Sequence, residues 1–223
     1  DPELVNRLAT ELSIEPVLAM LLVQRGVKTF DEAKRFFRPS LDDLYDPFLM
    51  KDMHNAVDRI EQAIRKGERI LFYGDYDVDG TTAVALMYSF FRSRYSKIGY
   101  YIPDRYNEGY GISLKGIDYA FDNGYSLLVA LDCGIKAIEK IRYATQRKID
   151  FIICDHHLPG DQIPEAVAVL DPKRVDCPYP FKELSGCGVG FKLLQGYCRK
   201  AGVDPSELYS HIELVAVSIA SDI

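Results

Sequence analysis

From Arg69 onward, short apolar runs alternate with segments of helical spacing, and this alternation constrains the fold more than any other feature. The apolar runs, which predict strands, cover residues 70–73, 98–102, 127–131, 151–154 and 166–170. The segments of helical spacing cover residues 81–95, 113–123, 135–147, 189–201 and 205–219. Strands that are separated by helices pair in parallel, because the chain must cross back over the sheet between them. We therefore predict an α/β fold with a doubly wound, mostly parallel sheet.

The residues before this region predict short helices. Pro16 can occupy a first helical turn, and Gly67 can end a helix over the apolar positions that precede it. The segment 39–47 is expected to be an irregular connection. These features predict two domains, an N-terminal helical cap over residues 1–66 and an α/β domain over residues 67–223.

The composition limits the classes of protein to which this chain can belong. Its 223 residues include 27 basic and 33 acidic side chains, and the net charge of −6 argues against a generally basic nucleic-acid coat but not against a local basic groove. No apolar run reaches the roughly 18 residues of a membrane span, so no membrane partner is expected. The five cysteines are odd in number and contain no C-x-x-C pair, which favours a reducing cytoplasm over a secreted disulfide scaffold.

Acidic residues and histidines directly follow three of the predicted strands. Open α/β sheets bind their ligands just beyond the C-terminal ends of the strands. If the three strands are parallel neighbours, five carboxylates and two imidazoles meet at one edge of the sheet. These side chains belong to Asp75, Asp77, Asp79, Asp132, Asp155, His156 and His157.

Such a cluster repels itself unless cations compensate its charge. Carboxylates with one or two imidazoles suit Mn²⁺ or Mg²⁺, and two ions about 3.5–4 Å apart can polarise a phosphoryl group and activate a water. A single Asp after a strand is usually a turn residue or a helix N-cap, and for Asp132 alone that alternative has equal weight. Acids at three strand ends, one of them with two histidines, together favour metal-assisted hydrolysis of a phosphoester.

Two glycine-containing segments are candidates for binding substrate. Arg105 lies in the segment after the second predicted strand and could pair with a phosphate, or it could be a solvated loop residue. Three glycines open an apparent helix, where backbone amides can cradle an anion, although glycines also allow close packing. They are Gly186, Gly188 and Gly190.

Four motifs together resemble those of the DHH phosphoesterases. They are Gly74-Asp-Tyr-Asp-Val-Asp-Gly80, Asp132-Cys-Gly134, Asp155-His-His157 and Ser218-Ile-Ala-Ser-Asp222. Within that family the chain is most similar to the bacterial single-strand-specific DNA exonucleases, over nearly its whole length. The resemblance implies a two-metal, Mn²⁺- or Mg²⁺-dependent 5′-to-3′ exonuclease of DNA repair and recombination. It also implies repair partners such as a helicase or a single-strand-binding protein.

The same resemblance implies roles for individual residues. Asp132 is the candidate for a ligand that both ions share, and His157 faces the scissile phosphate and steadies developing charge. Arg105 and the loop 186–190 lie near the substrate backbone. The implied metal ligands are drawn from Asp75, Asp77, Asp79, Asp132, Asp155, His156 and Asp222.

The chain departs from the family pattern at two points. Many members have a histidine four residues before the Asp-x-Asp pair, where this chain has Tyr73, and Asp75 is expected to substitute. The chain also stops at Ile223, whereas the family continues into a second phosphoesterase domain and an oligonucleotide-binding barrel, so we expect a catalytic-core fragment. The alternatives are a phosphoesterase for pyrophosphate, oligoribonucleotides or cyclic dinucleotides, and a non-catalytic scaffold.

Overall fold

A computed structural model describes residues 1–222, and these divide into two compact units, Asp1–Tyr45 and the chain from Asp46 onward. The first unit contains three helices, α1 (Pro2–Leu12), α2 (Pro16–Gln24) and α3 (Phe30–Phe37). Thr29 and Glu32 form a capping box at the start of α3. The three helices enclose a small core of their own, which includes Leu8, Ala19, Leu22 and Ala33.

The second unit is built on a five-stranded sheet in which every pair of neighbours is parallel. The strands are β1 (Arg69–Gly74), β2 (Ile98–Tyr101), β3 (Tyr125–Leu131), β4 (Asp150–Cys154) and β5 (Ala168–Leu170). Their spatial order is β2-β1-β3-β4-β5, so the direction of winding reverses between β1 and β3. The predicted doubly wound α/β fold is thus confirmed, and a sheet of this order binds ligands where the winding reverses.

Helices cover both faces of this sheet. The helices of the second unit are α4 (Met53–Lys66), α5 (Val78–Arg92), α6 (Leu114–Asp122), α7 (Ile138–Gln146), α8 (Gly186–Ala201), α9 (Pro205–Tyr209) and α10 (Ile212–Ser221). Helices α4, α5 and α8 pack on one face, α6 and α7 pack on the other, and α10 packs on α5 and α8. Across residues 1–222, no helix combines the length and the apolar character that crossing a bilayer requires.

Alternate residues of each strand supply two separate hydrophobic layers. In β1, Ile70 and Phe72 pack towards α4, α5 and α8, whereas Leu71 and Tyr73 pack towards α6 and α7. A parallel sheet is buried on both faces, which explains why its strands read as continuous apolar runs in the sequence. Complete burial of each such side chain stabilises the fold by about 1.5–3 kcal/mol. The C-terminal ends of the strands are therefore held on a rigid base.

Several element boundaries differ from the sequence-based expectations. Helix α5 begins three residues earlier than predicted, and so does α8, because Asp and Gly have low helix propensity and conceal both starts. The helix predicted over residues 205–219 is two helices, separated at Ser210 and His211. The expected irregular segment contains the short 3₁₀ helix Leu41–Asp43, and a second one, Pro47–Leu49, begins at its last residue. The domain boundary between residues 66 and 67 stays a prediction, while α4 packs on α8 and β5 within the second unit.

Candidate metal centre

The loop between β1 and α5 carries two of the predicted ligands, Asp75 and Asp77, and a third, Asp79, lies in the first turn of α5. Asp75 is fully buried; its Oδ1 accepts a hydrogen bond from the Gly111 amide (3.3 Å), and its Oδ2 has no hydrogen-bond partner. Burial, together with the charge of Asp77, raises the pKa of Asp75. Asp77 is exposed and caps α5, since its Oδ1 accepts from the Gly80 amide at 2.9 Å. A Cβ atom on Gly80 would lie 2.5 Å from the Asp75 carbonyl oxygen, so only glycine permits this tight loop.

Asp132 follows β3 in a strained backbone conformation. Its φ is +60°, which costs a non-glycine residue on the order of 1–3 kcal/mol. The side chain is buried, and Oδ1 forms no hydrogen bond of good geometry although His156 Nε2 lies 3.1 Å away. Burial raises the pKa of Asp132 to about 7; His156 acts to lower it, and the charges of Asp79 and Asp77 act to raise it. Both the strained backbone and the unsatisfied Oδ1 of Asp132 cost stability. Their presence at one residue therefore indicates a functional role for Asp132.

Asp155, which follows β4, is satisfied within the protein. Its Oδ2 accepts a hydrogen bond from the Ile135 amide (2.8 Å). Its Oδ1 accepts from the amides of His156 (2.8 Å) and His157 (3.2 Å), and lies 2.7 Å from His157 Nδ1. Burial acts to raise the pKa of Asp155, but these hydrogen bonds, led by that with His157, lower it overall. This carboxylate therefore serves to orient His157.

His156 is the point at which the strand ends converge. Its Nε2 lies 3.1 Å from Asp132 Oδ1 and 3.7 Å from Asp79 Oδ2, and its Nδ1 lies 3.5 Å from Asp222 Oδ2. Burial acts to lower the pKa of His156, but the three carboxylates raise it to about 9. The imidazole therefore offsets part of the negative charge of this acidic cluster.

His157 is bound at both ring nitrogens. Its Nδ1 meets Asp155 Oδ1 at 2.7 Å, and its Nε2 lies 3.0 Å from the hydroxyl of Tyr110. The hydrogen bond with Asp155 raises the pKa of His157. Burial and the charges of Asp132 and Asp75 raise the pKa of Tyr110, so its hydroxyl keeps its proton. The His157 side chain is 41% exposed and is open to solvent in a way that His156 is not.

Helices α8 and α10 complete the cluster from the far end of the chain. The Asp79 carboxylate accepts hydrogen bonds from the amides of Gly186 (2.6 Å) and Cys187 (2.7 Å) and from the Ser218 hydroxyl (2.7 Å). A Cβ atom on Gly186 would lie 2.5 Å from the Asp132 Cβ, so the start of α8 also fixes Asp132 by close packing. The positive end of the α8 dipole thus faces an acidic side chain of the protein itself.

Two groups of side chains have the spacing of metal ligands. Asp132, His156 and His157 form one group, and Asp79, His156 and Asp222 form the other, with the ligand atoms of each group within 4.8 Å of one another. His156 belongs to both groups. Five of the residues predicted for the site are therefore brought together at one edge of the sheet.

The other predicted ligands occupy the border of these groups. Asp75 and Asp77 lie in the β1–α5 loop, and Asp155 is turned into its own hydrogen bonds. Asp132 belongs to one group rather than both, so its role as a ligand shared by two ions stays a prediction.

The predicted substrate residues lie in two different settings. Arg105 is exposed, its guanidinium is 5.2 Å from the Tyr76 ring centroid, and it forms no salt bridge within residues 1–222. The three glycines of the second segment are buried in the first turns of α8, where the leading amide binds Asp79. They are Gly186, Gly188 and Gly190, and their contact with a substrate stays a prediction.

Sequence reasoning missed a further acid at the sheet edge, Asp171. It directly follows β5, and the pairing of Leu170 with Cys154 sets it beside Asp155. Its Oδ1 accepts from the Lys173 amide at 2.7 Å, and its buried Oδ2 has no hydrogen-bond partner. Burial raises the pKa of Asp171 to about 6. The signal that identified Asp132, an acid directly after a predicted strand, was present here too.

Two hydroxyl groups that bind site residues were also missed as individuals. Tyr110 was in a segment predicted to handle substrate, but nothing in the sequence tied its hydroxyl to His157. Ser218 was part of a quoted motif, and its bond to Asp79 joins residues 139 positions apart. Contacts over such sequence separations leave no local pattern.

Comparison with known proteins agrees with this fold and site. Residues 69–219, more than half of the chain, match the family described as "DHH family, N-terminal domain". The chain is 40% identical over 223 residues to the single-stranded-DNA-specific exonuclease RecJ of Bacillus subtilis (strain 168), covering 100% of this chain and 28% of that protein.

Two solved structures show the same likeness in three dimensions. An exonuclease RecJ bound to manganese is 30% identical, with a TM-score of 0.70 over 78% of this chain and 44% of that one. RecJ from Thermus thermophilus in complex with Mn²⁺ is 25% identical, with a TM-score of 0.81 over 99% of this chain and 30% of that one. The resemblance predicted from the motifs is confirmed: this chain belongs to the DHH family and carries a RecJ-like DHH domain.

Proposed function

We propose that this chain is the catalytic core of a metal-dependent exonuclease that hydrolyses single-stranded DNA from its 5′ end, in repair and recombination. The convergence of Asp79, Asp132, His156 and Asp222 on one edge of the sheet carries the proposal. The name of the Bacillus subtilis relative supports the substrate, although the chain spans only 28% of that protein's length.

The residues of the site fit a pair of Mn²⁺ or Mg²⁺ ions. Asp132 Oδ1 and Asp75 Oδ2 are buried acceptors without a hydrogen-bond partner, and a cation would satisfy both. Carboxylate oxygens with one or two imidazoles are a ligand set that suits these ions, and Asp79, Asp132 and Asp222 around His156 would hold them. Bound there, the ions would polarise the phosphoryl group and activate the attacking water.

The chain's own side chains would position the phosphate. Asp155 accepts a hydrogen bond from His157 Nδ1 and so orients the ring, and Nε2, beside the Tyr110 hydroxyl, would face a substrate and steady the charge developing on it. Arg105, which is exposed and has no carboxylate partner in the described chain, would pair with a neighbouring phosphate. Asp132 would act as a ligand rather than as a proton carrier.

The cellular setting is proposed from the cysteines and from the family resemblance. All five cysteines are free and buried, which suits a reducing cytoplasm. A helicase or a single-strand-binding protein is the partner that the family resemblance implies. Co-purification of either protein with the chain, retained at about 0.15 M salt, tests that assignment.

The function is tested by incubating the chain with Mn²⁺ and single-stranded DNA labelled at either end. We expect mononucleotides to be released from the 5′ end, and chelation of the metal to stop the release. Duplex DNA, pyrophosphate, an oligoribonucleotide and a cyclic dinucleotide serve as comparison substrates. Hydrolysis of a small substrate in preference to DNA would contradict the proposal, and metal binding without any hydrolysis would instead indicate a scaffold.

A further inference from the structure

An exposed aromatic ring stands directly beside the metal centre. Tyr110 is 51% exposed although its hydroxyl is bound to His157 Nε2 at 3.0 Å. It lies between Gly109 and Gly111, which both have positive φ values (+79° and +77°), so the backbone on each side has a conformation that other residues rarely adopt. The ring is thus anchored at its polar end and open along its body.

A second aromatic residue holds this ring from the side. The centroids of Tyr76 and Tyr110 are 6.1 Å apart, and the two ring planes are nearly perpendicular at 88°. The Arg105 guanidinium lies 5.2 Å from the Tyr76 centroid. Tyr76 comes from the β1–α5 loop, which also carries Asp75 and Asp77, so the pair of rings and the metal centre share one support.

The combination has the chemistry of a single-strand binding site. Proteins that hold single-stranded nucleic acid stack its bases on aromatic rings and track its phosphates with Arg or Lys. Here the ring of Tyr110, the cationic Arg105 and the candidate metal centre follow one another within a single loop cluster. A base in a duplex is already paired and stacked, so such a surface favours single strands.

Tyr106, in the same loop, shows that exposure alone is not the argument. It is 93% exposed and makes no ring contact within the described chain. Tyr110 differs because its hydroxyl and one edge are fixed, so little side-chain freedom remains to be lost when a flat ligand binds.

We propose that Tyr110, braced by Tyr76, is a stacking site for a nucleobase of the single strand whose phosphate lies at the metal centre. The inference rests on the proposed function and adds to it that a nucleobase of the substrate stacks on Tyr110. The occupant is a base of any identity, since every base has a flat face to stack.

The test measures dissociation constants for a 5′-phosphorylated ten-residue oligothymidylate by fluorescence anisotropy, with Ca²⁺ in place of Mn²⁺. We expect Tyr110→Leu to weaken binding about 10-fold, Tyr110→Phe to bind within about twofold of the original, and Tyr106→Leu to have no effect. In Mn²⁺, Tyr110→Phe is expected to lower kcat about 3- to 10-fold because His157 loses one hydrogen bond.

Abasic oligonucleotides identify the interaction directly. Removal of the base at one of the first three positions from the 5′ end should weaken binding to the original chain about 10-fold, as Tyr110→Leu does with intact DNA. With that abasic DNA, Tyr110→Leu should cause no further loss of binding. Equal losses for intact and abasic DNA, equal losses for Tyr106→Leu, or an equal loss for Tyr110→Phe would each overturn the stacking site. The binding measurement does not require hydrolysis. A chain that binds DNA in this way but hydrolyses none would contradict the proposed function, and the stacking site would still be tested.

Discussion

Asp132 and Asp155 follow the adjacent strands β3 and β4, and their different surroundings give them different roles. Asp155 accepts hydrogen bonds from three backbone amides and His157, and its pKa falls despite burial. Asp132, equally buried, keeps one oxygen without a hydrogen bond, and its pKa rises to about 7. The oxygens of Asp155 are fully hydrogen-bonded within the protein, whereas Asp132 Oδ1 is available to bind a cation. The sequence predicted both acids at the site, but only their surroundings distinguish them.

Asp132→Asn tests this difference. The pKa of Asp132, about 7 when folded, lies above its usual 3.8, so the folded chain holds a proton that the unfolded chain has released between these pH values. Without metal, this residue therefore lowers stability as pH rises through that window, and Asn should remove the slope. We expect the variant at pH 8 to unfold at an equal or higher temperature than the original.

The same variant should lose its response to metal. Mn²⁺ should raise the unfolding temperature of the original chain but not that of Asp132→Asn, and turnover should fall on the order of 100-fold. Asp161→Asn, at an exposed position, is the control and should behave as the original does. Normal turnover of Asp132→Asn in Mn²⁺ would contradict its role as a ligand.

Lys192 gives a pH prediction away from the site. It is buried in α8, where its Nζ donates to Gln195 Oε1 at 2.7 Å, and burial lowers its pKa from 10.5 to about 8. Between pH 8 and 10.5 the unfolded chain binds a proton that the folded chain does not, so this residue makes stability rise with pH there. Lys192→Met should raise the free energy of unfolding at pH 7 by about 2 kcal/mol.

That gain should shrink as the pH approaches 10.5. Urea unfolding at half-unit pH steps measures it, with the exposed Lys66→Met as the control. A gain of constant size across this range would show that Lys192 does not carry the shifted titration.

At the scale of elements, the site depends on where helices begin. Helix α5 starts at the Asp77 cap and α8 starts at Gly186, whose amide binds Asp79. The sequence predicted both helices but placed their starts three residues late, because Asp and Gly residues favour caps and turns over helix interiors. The ends of β3 and β4 were predicted correctly, because apolar runs that stop at an acid define a boundary sharply, whereas β1 ends one residue later than predicted, at Gly74.

Gly186→Ala tests the contact between α8 and β3. Its Cβ would lie 2.5 Å from the Asp132 Cβ, so we expect a loss of about 1–3 kcal/mol in unfolding free energy and weaker Mn²⁺ binding. At Gly190, the nearest atom to a new Cβ is Leu131 Cδ2 at 3.3 Å, and Gly190→Ala should change stability by less than about 1 kcal/mol. Equal effects of the two changes on Mn²⁺ binding would contradict the proposed packing role.

At the scale of the whole molecule, strand order creates the site. The order β2-β1-β3-β4-β5 makes β1, β3 and β4 neighbours, so the acids that follow them meet. Alternation along the sequence predicted parallel strands but could not give their order, which depends on long-range pairing. Helix α10 brings Ser218 to Asp79 in α5 and Asp222 to His156 beyond β4. This return was expected only from the motif resemblance, since no local pattern encodes a contact across 139 positions.

The central claim is that this sheet edge holds two metal ions, and anomalous diffraction from a crystal soaked in Mn²⁺ tests it most directly. We predict two peaks about 3.5–4 Å apart, one within the group of Asp132, His156 and His157 and one within that of Asp79, His156 and Asp222. The absence of peaks in a well-ordered crystal, or peaks bound only to surface carboxylates elsewhere, would contradict the account.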